Sequence, residues 1–235
     1  MIERQEDEAR VLDGPDKAQT SNDWQTQPGA TMERVGFPFK GTAKLGYDQN
    51  NVYLMYEIDD QTPWKNEGKD FTRLFKTGDA VDFQISVDPA MSEAKRRELN
   101  ASDVRVVIAP LNGKPAAVLM KPIDPTASKD AVVKYQSPVT VKSFDRVAVI
   151  KEANVRARAT ENGYVVEATI PLSVLNLKPS AGMKLRGDLG FISSDSTGTI
   201  NAARTYWSNK DTNLVSDLPF EAWLTPEAWG VIEFE

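Results

Sequence analysis

The stretch RLFKTGDAVDFQISVD, residues 73–88, decides the fold. From Ala80 on it alternates with period two. Val81, Phe83, Ile85 and Val87 point one way, while Ala80, Asp82, Gln84 and Ser86 point the other. That is the pattern of a β-strand with an apolar face and a polar face. The same period separates its three acids. Asp79 follows Gly78 and reads as a turn group, and Asp88 precedes Pro89 and ends the strand. Asp82 stands alone mid-strand on what reads as a wet face, beside Gln84. Asp79 and Asp82 face opposite ways, which argues against a paired-carboxylate glycosidase.

Working outward, strands dominate. GTAKLGYD (41–48) and NVYLMYEIDD (51–60) flank a Gln49-Asn50-Asn51 turn and read as a hairpin. DVRVVIAP (103–110) and KPAAVLMKP (114–122) flank Asn112-Gly113, and Asn162-Gly163 repeats the signal farther on. Short strands at regular spacing predict an all-β antiparallel sandwich of jelly-roll-like form, not βαβ units. One short helix is expected over MSEAKRRELNAS (91–102), with Ser92 as its cap. Residues 1–34 are polar. Beyond about the first ten residues, which have helical character, they read as loop: a lead-in that wraps onto the domain or the remnant of a preceding one, ahead of a sandwich over 35–235. The tail closes with WGVIEF (229–234), a strand that pairs back into the sheet.

The 235 residues are 40% hydrophobic and 26% charged, ordinary values for a globular chain. The net charge of −6 and the lack of a long basic run exclude nucleic acid as the expected partner. With no Cys and no His, disulfides, thiol nucleophiles, His-based triads and zinc sites built on either residue are ruled out. No apolar run approaches the roughly 20 residues of a membrane helix, so no membrane partner is expected. No signal peptide shows at the N-terminus.

Several segments together resemble family 9 carbohydrate-binding modules and their DOMON-like relatives. They are YDQNNVYLMYEIDD (47–60), LFKTGDAVDFQISVD (74–88), GYVVEATIP (163–171), YWSN (206–209) and WGVIEF (229–234), in the family's order from about residue 39 to 235. The resemblance implies a sugar-binding sandwich without catalytic activity. It also implies a polysaccharide or oligosaccharide partner, a possible neighbouring catalytic domain, and an extracellular or cell-envelope location. Asp82 and Arg105 take the places of the hydroxyl-binding acid and arginine, and Trp223 falls near the second stacking aromatic. Phe75 stands near the family's usual Trp, and the acid is Asp82 where the family has Glu. Gln84, Trp207 and Asn209 complete the candidate sugar site.

The chemistry fits a pyranose, whose C–H faces are covered by flat rings and whose hydroxyls are bridged by planar charged groups. The plainer alternatives are a cross-strand Asp82–Arg105 salt bridge, worth roughly 0–1 kcal/mol on a solvated face, and packing roles for Trp223, Trp229 and Trp64. Some relatives hold structural Ca²⁺, and Asp59-Asp60 at the end of the second strand are the candidate ligands, set against turn and cap roles. Two further functions stay open. One is a haem-binding DOMON-like electron-transfer domain, for which, without His, only a Met/Lys pair such as Met120 and Lys121 could serve, although adjacent residues on a strand cannot both face one iron. The other is a structural or adaptor sandwich without ligand.

Overall fold

The computed structural model describes residues 8–13, 29–33, 38–211 and 217–235. Fifteen strands follow one another: β1 (Glu8–Asp13), β2 (Ala30–Glu33), β3 (Lys40–Tyr47), β4 (Asn51–Asp59), β5 (Ala80–Ser86), β6 (Asp103–Leu111), β7 (Lys114–Lys121), β8 (Val133–Gln136), β9 (Val141–Phe144), β10 (Arg146–Val149), β11 (Asn154–Ala159), β12 (Gly163–Pro171), β13 (Lys184–Ser194), β14 (Asn201–Tyr206) and β15 (Gly230–Phe234). Among the described residues, helix is confined to single turns: α1 (Leu74–Thr77), α2 (Leu172–Leu175) and α3 (Leu218–Ala222).

Thirteen strands form one continuous sheet in the order β10-β7-β6-β5-β13-β15-β1-β3-β4-β12-β11, with β14 beside β13 and β2 beside β3. It folds over on itself as a β-sandwich. Apolar residues of β3, β4 and β12, such as Leu45, Tyr56, Ile58 and Ile170, meet Val81, Phe83, Ile85, Val106 and Phe191 from the other half in one core. Tyr56 crosses between the layers and donates its hydroxyl to the Asp82 carbonyl at 2.9 Å. Pairing is antiparallel except at β1, which runs parallel to both β15 and β3.

The three expected hairpins form, the one at Asn162-Gly163 joining β11 and β12. β6 and β7 pair through Asn112-Gly113, whose φ values of 51° and 76° are those of a mirror-image turn. β3 and β4 pair in full register.

Three readings of the sequence are corrected. The first concerns the polar face of β5. Every residue of that strand is buried, because a second apolar cluster covers the outer face of the β5–β6–β7–β13 half. Phe75 of α1, Tyr135 and Phe144 of the separate β8–β9 hairpin, and Ala222 of α3 pack there onto Val107, Val118 and Met120. Both faces are dry, and the alternation marks two different interiors.

The second correction is the helix over 91–102. Only a 3-10 turn forms, Pro89–Ser92, with Asp88 accepting from the Ala90 amide as its cap. Downstream, Arg96 is drawn into the β5–β6 connection, ion-paired with buried Asp103 and bonded to Ser86. Ser92 Oγ accepts from the Arg186 amide instead of capping a helix. Helical propensity of about 0.5 kcal/mol per residue or less loses to a buried ion pair.

The third is the helix-and-loop reading of the N-terminal stretch, whose described residues 8–13 and 29–33 carry β1 and β2 of the sheet. Strand addition through main-chain hydrogen bonds needs no alternating side chains, so the polar sequence carried no sign of it.

Candidate functional site

β5 and β6 are neighbours, with Gln84 opposite Arg105 and Asp82 opposite Val107. Arg105 and Asp82 are therefore diagonal partners on the outer face. Arg105 Nε donates to Asp82 Oδ1 and Oδ2 at 3.2 and 3.0 Å, and Nη2 to Oδ2. Neither side chain is exposed at all. Arg105 Nη1 donates to the main-chain carbonyls of Glu221 and Ala222 at 2.9 and 2.8 Å, and its guanidinium lies 5.1 Å from the centre of the Phe75 ring.

Tyr206 donates to Asp82 Oδ2 at 2.6 Å. Its ring occupies space that only a glycine across the ladder leaves open: a Cβ on Gly190 would come within 2.4 Å of it. Gln84 donates to Tyr206 and accepts from the Trp229 indole at 3.1 Å. Arg204 donates to the Glu221 and Phe75 carbonyls, and the Glu221 carboxylate meets Lys76 at 2.6 Å and Asn201 at 3.2 Å.

The electrostatics follow from burial. Desolvation disfavours the Arg105 cation, but the Asp82 carboxylate outweighs it, and the pKa of Arg105 ends above its ordinary value. Arg204, equally buried, is held below its ordinary value by desolvation. Burial also raises Tyr206, with Asp82 adding to the shift. Asp188, on the adjacent strand, is pushed up to about 7 by burial, although the amides of Ser208, Asn209 and Leu189 donate to it.

The structure thus brings Asp82, Arg105, Gln84 and Phe75 together, as the sequence anticipated, but inside the protein. The Arg105 groups expected to meet sugar hydroxyls are engaged by the α3 backbone. In this state the seam fastens α3 to the sheet. Trp207 is not part of it. It is 4% exposed and lies in the inner core, because its neighbour Tyr206 takes the outer face. Asn209 lies beyond the seam, its amide on Asp188 and its side-chain oxygen accepting from the Asp211 amide.

Trp223 is the predicted site residue that reaches the surface as an aromatic. It is half-buried, packs edge-on against Phe144 at 5.8 Å, and carries Lys142 Nζ 4.3 Å from its ring centre. Phe220, three residues earlier on α3, is 55% exposed. Sequence reasoning missed Phe220 and Lys142. The three-residue spacing of aromatics in LPFEAW was the available signal for Phe220, while Lys142 comes from a distant hairpin that nothing local connects to Trp223. Trp64 is half-buried against Tyr164 at 6.2 Å.

The candidate metal ligands diverge. Asp59 pairs with Lys40 at 3.4 Å on the surface. Asp60 is buried and its Oδ1 accepts from the amide and hydroxyl of Thr62. Among the described residues no group of three or more acids converges, and two diverging carboxylates do not supply the six to eight oxygens Ca²⁺ takes. Met120 is buried in the outer core while Lys121 lies 3.9 Å from Asp124, so the pair does not converge on one iron. Asp79, expected as a local turn group, makes longer-range bonds: it accepts from the amides of Lys65 and Ser194, and burial raises it to about 6.

Comparison with known proteins agrees with this architecture. Two solved structures of a family 9 carbohydrate-binding module from Caldicellulosiruptor kristjanssonii superpose on the chain. The complex with glucose gives a TM-score of 0.61 at 16% identity, covering 97% of this chain and 96% of that one. The complex with cellotriose gives 0.64 at 15% identity, covering 97% and 94%. At such identities the likeness establishes the fold. No curated protein matches the sequence. The profile of the family described as "Carbohydrate family 9 binding domain-like" matches residues 15–235, nearly the whole chain, and the protein belongs to that family.

Proposed function

We propose that the protein binds carbohydrate without transforming it, through the outer surface of α3. The observation that carries this reading is the aromatic pair Phe220 and Trp223, displayed on a helix that Arg105 and Arg204 clamp to the sheet. Sugar binding rewards rigid apolar faces with charge at the edge, because each ordered side chain otherwise costs entropy on binding. Lys142, held over Trp223, supplies a charged group at the ring. Family membership supports the reading, and the relatives' complexes with glucose and cellotriose support a glucose-based ligand. The same membership supports an extracellular or cell-envelope setting beside a glycan-degrading neighbour.

Calorimetric titration with glucose, cellotriose and longer cello-oligosaccharides tests it. The expected result is saturable binding that Trp223→Ala weakens about tenfold or more, since truncating an anchoring aromatic typically costs over 1 kcal/mol. Unchanged affinity in a folded Trp223→Ala protein overturns the assignment to α3. Absence of binding to any glycan by folded wild type overturns the function.

A further inference from the structure

The large sheet ends on two strands, and they are unlike. β10 is half-buried along its whole length. β11, NVRARA, is exposed at every residue but Val155, and β12 is its one partner in the ladder. Alternate residues of such a strand turn their N–H and C=O groups away from the partner, and no described residue bonds to those of β11. A bare edge of this length is a template for another strand.

Two features say what kind of strand. The first is charge. Arg156 and Arg158 stand on the outer face, opposite Glu167 and Val165. Both are exposed, and among the described residues neither forms an ion pair or a hydrogen bond. Lys65 and Lys69 line the cavity next to the strand, and Glu67 answers only Lys65, at 3.4 Å. In a chain of net charge −6 this edge is locally cationic. The second is shape. Ala157 takes a core-facing position, opposite buried Val166. Its small side chain leaves a cavity of about 370 Å³ walled by Trp64, Pro110 and Pro115. Charged side chains on an edge ordinarily block pairing. Here the block is selective. A second copy, paired through its own β11, would set arginines against arginines, which is destabilising. A strand that carries acids meets no such penalty.

We propose that β11 is a docking edge for an extended acidic segment of another protein, which adds a strand to the sheet. Its Asp or Glu residues face Arg156 and Arg158, and an apolar side chain from its other face enters the cavity beside Trp64. Main-chain bonds then give affinity, and the alternate side chains give selectivity. The edge is separate from α3 and does not depend on sugar binding.

The test uses the full chain and synthetic peptides of about eight residues, a strand's length. One alternates Glu with Val, one alternates Lys with Val, and a third is the Glu–Val peptide N-methylated throughout, which keeps the charges and loses the donors. Binding is read from nitrogen-15 chemical shifts and amide exchange. The Glu–Val peptide should shift residues 154–159 and the Trp64 indole and slow exchange along β11; the other two peptides should do neither. Arg156→Glu with Arg158→Glu should weaken the Glu–Val peptide about tenfold and admit the Lys–Val peptide, because two opposite-charge cross-strand pairs become like-charge ones. Both positions are exposed, and circular dichroism checks that the sheet is intact. Shifts from cellotriose at 220–223 should be unchanged in that variant. Equal binding of the N-methylated peptide reduces the edge to a basic patch and overturns strand addition. Equal binding of the Glu–Val and Lys–Val peptides overturns the charge selection. A dimer of the peptide-free chain with its contacts at 154–159 overturns the proposal in favour of a second copy. No response at 154–159 to any peptide overturns it outright, and the reading of α3 stands or falls separately.

Discussion

At the scale of single residues, the structure inverts the value of the Asp82–Arg105 pair. On a wet face such a pair contributes little. Fully enclosed, with Tyr206, Gln84 and two carbonyls completing its hydrogen bonds, it is costly to break from one side. Removing one partner strands the other charge in a dry interior. Asp82→Ala or Arg105→Met should each lower the free energy of unfolding by about 3–5 kcal/mol, measured by urea denaturation. The double variant should lose much less than the sum, because no uncompensated charge remains. A sum that is additive within experimental error would show that the two do not act as a pair. Asp82 was legible in the sequence as the acid that matters in its strand, and its partner was legible too. Their burial was not, because α1, the β8–β9 hairpin and α3 come from segments far apart in sequence, as the Lys76–Glu221 bridge, spanning 145 positions, shows.

At the scale of elements, patterns with a local cause were readable. Asn112-Gly113 specifies its turn from two residues, and nothing in space crowds Gly113: a Cβ there meets no atom within 4 Å. Gly113→Ala should therefore cost only the backbone strain of φ 76°, about 1 kcal/mol, visible as a small drop in Tm with the sheet intact by circular dichroism. A loss of several kcal/mol would mean that the turn nucleates more than its own hairpin. The segment after Pro89 shows the opposite case. Glu, Lys, Arg and Ala favour helix there, yet Arg96 reaches Asp103 and ties the chain down. α3 is a third kind. Its five residues are too few to be stable alone, and it exists because Arg105 and Arg204 bind its last carbonyls. Replacing Arg204 by Met should loosen α3 before the sheet, raising amide exchange at 220–223 while β5 and β6 stay protected. Equal loss of protection in both would place α3 inside the same cooperative unit.

At the scale of the whole molecule, two acids set a pH dependence. Burial raises Asp188 to about 7 and Asp79 to about 6 in the folded state, from values near 4 in the unfolded chain. Between about pH 4 and 7 the folded protein therefore holds protons that the unfolded chain has released, and stability falls as pH rises through that window. The protonated forms contribute in full below about pH 4, and the loss is complete above about 7. Asp48 and Asp124, held below their ordinary values despite burial by hydrogen bonds from neighbouring groups, act in the opposite sense only at lower pH. Denaturation at pH 4.5, 6 and 7.5 should show a decline on the order of a few kcal/mol, and Asp188→Asn should flatten its upper part. Stability that rises across this range would refute the burial argument. The sheet order has a consequence of another sort. β15 lies between β13 and β1, and β1 joins that side to β3, so the two halves of the sandwich are stitched by strands from opposite ends of the described chain. A ribosome must release residues 230–234 before the seam between the halves can close, and until then each half exposes a bare ladder edge. Such an edge invites pairing with another chain, an exposure that comes from the topology rather than from any residue in it.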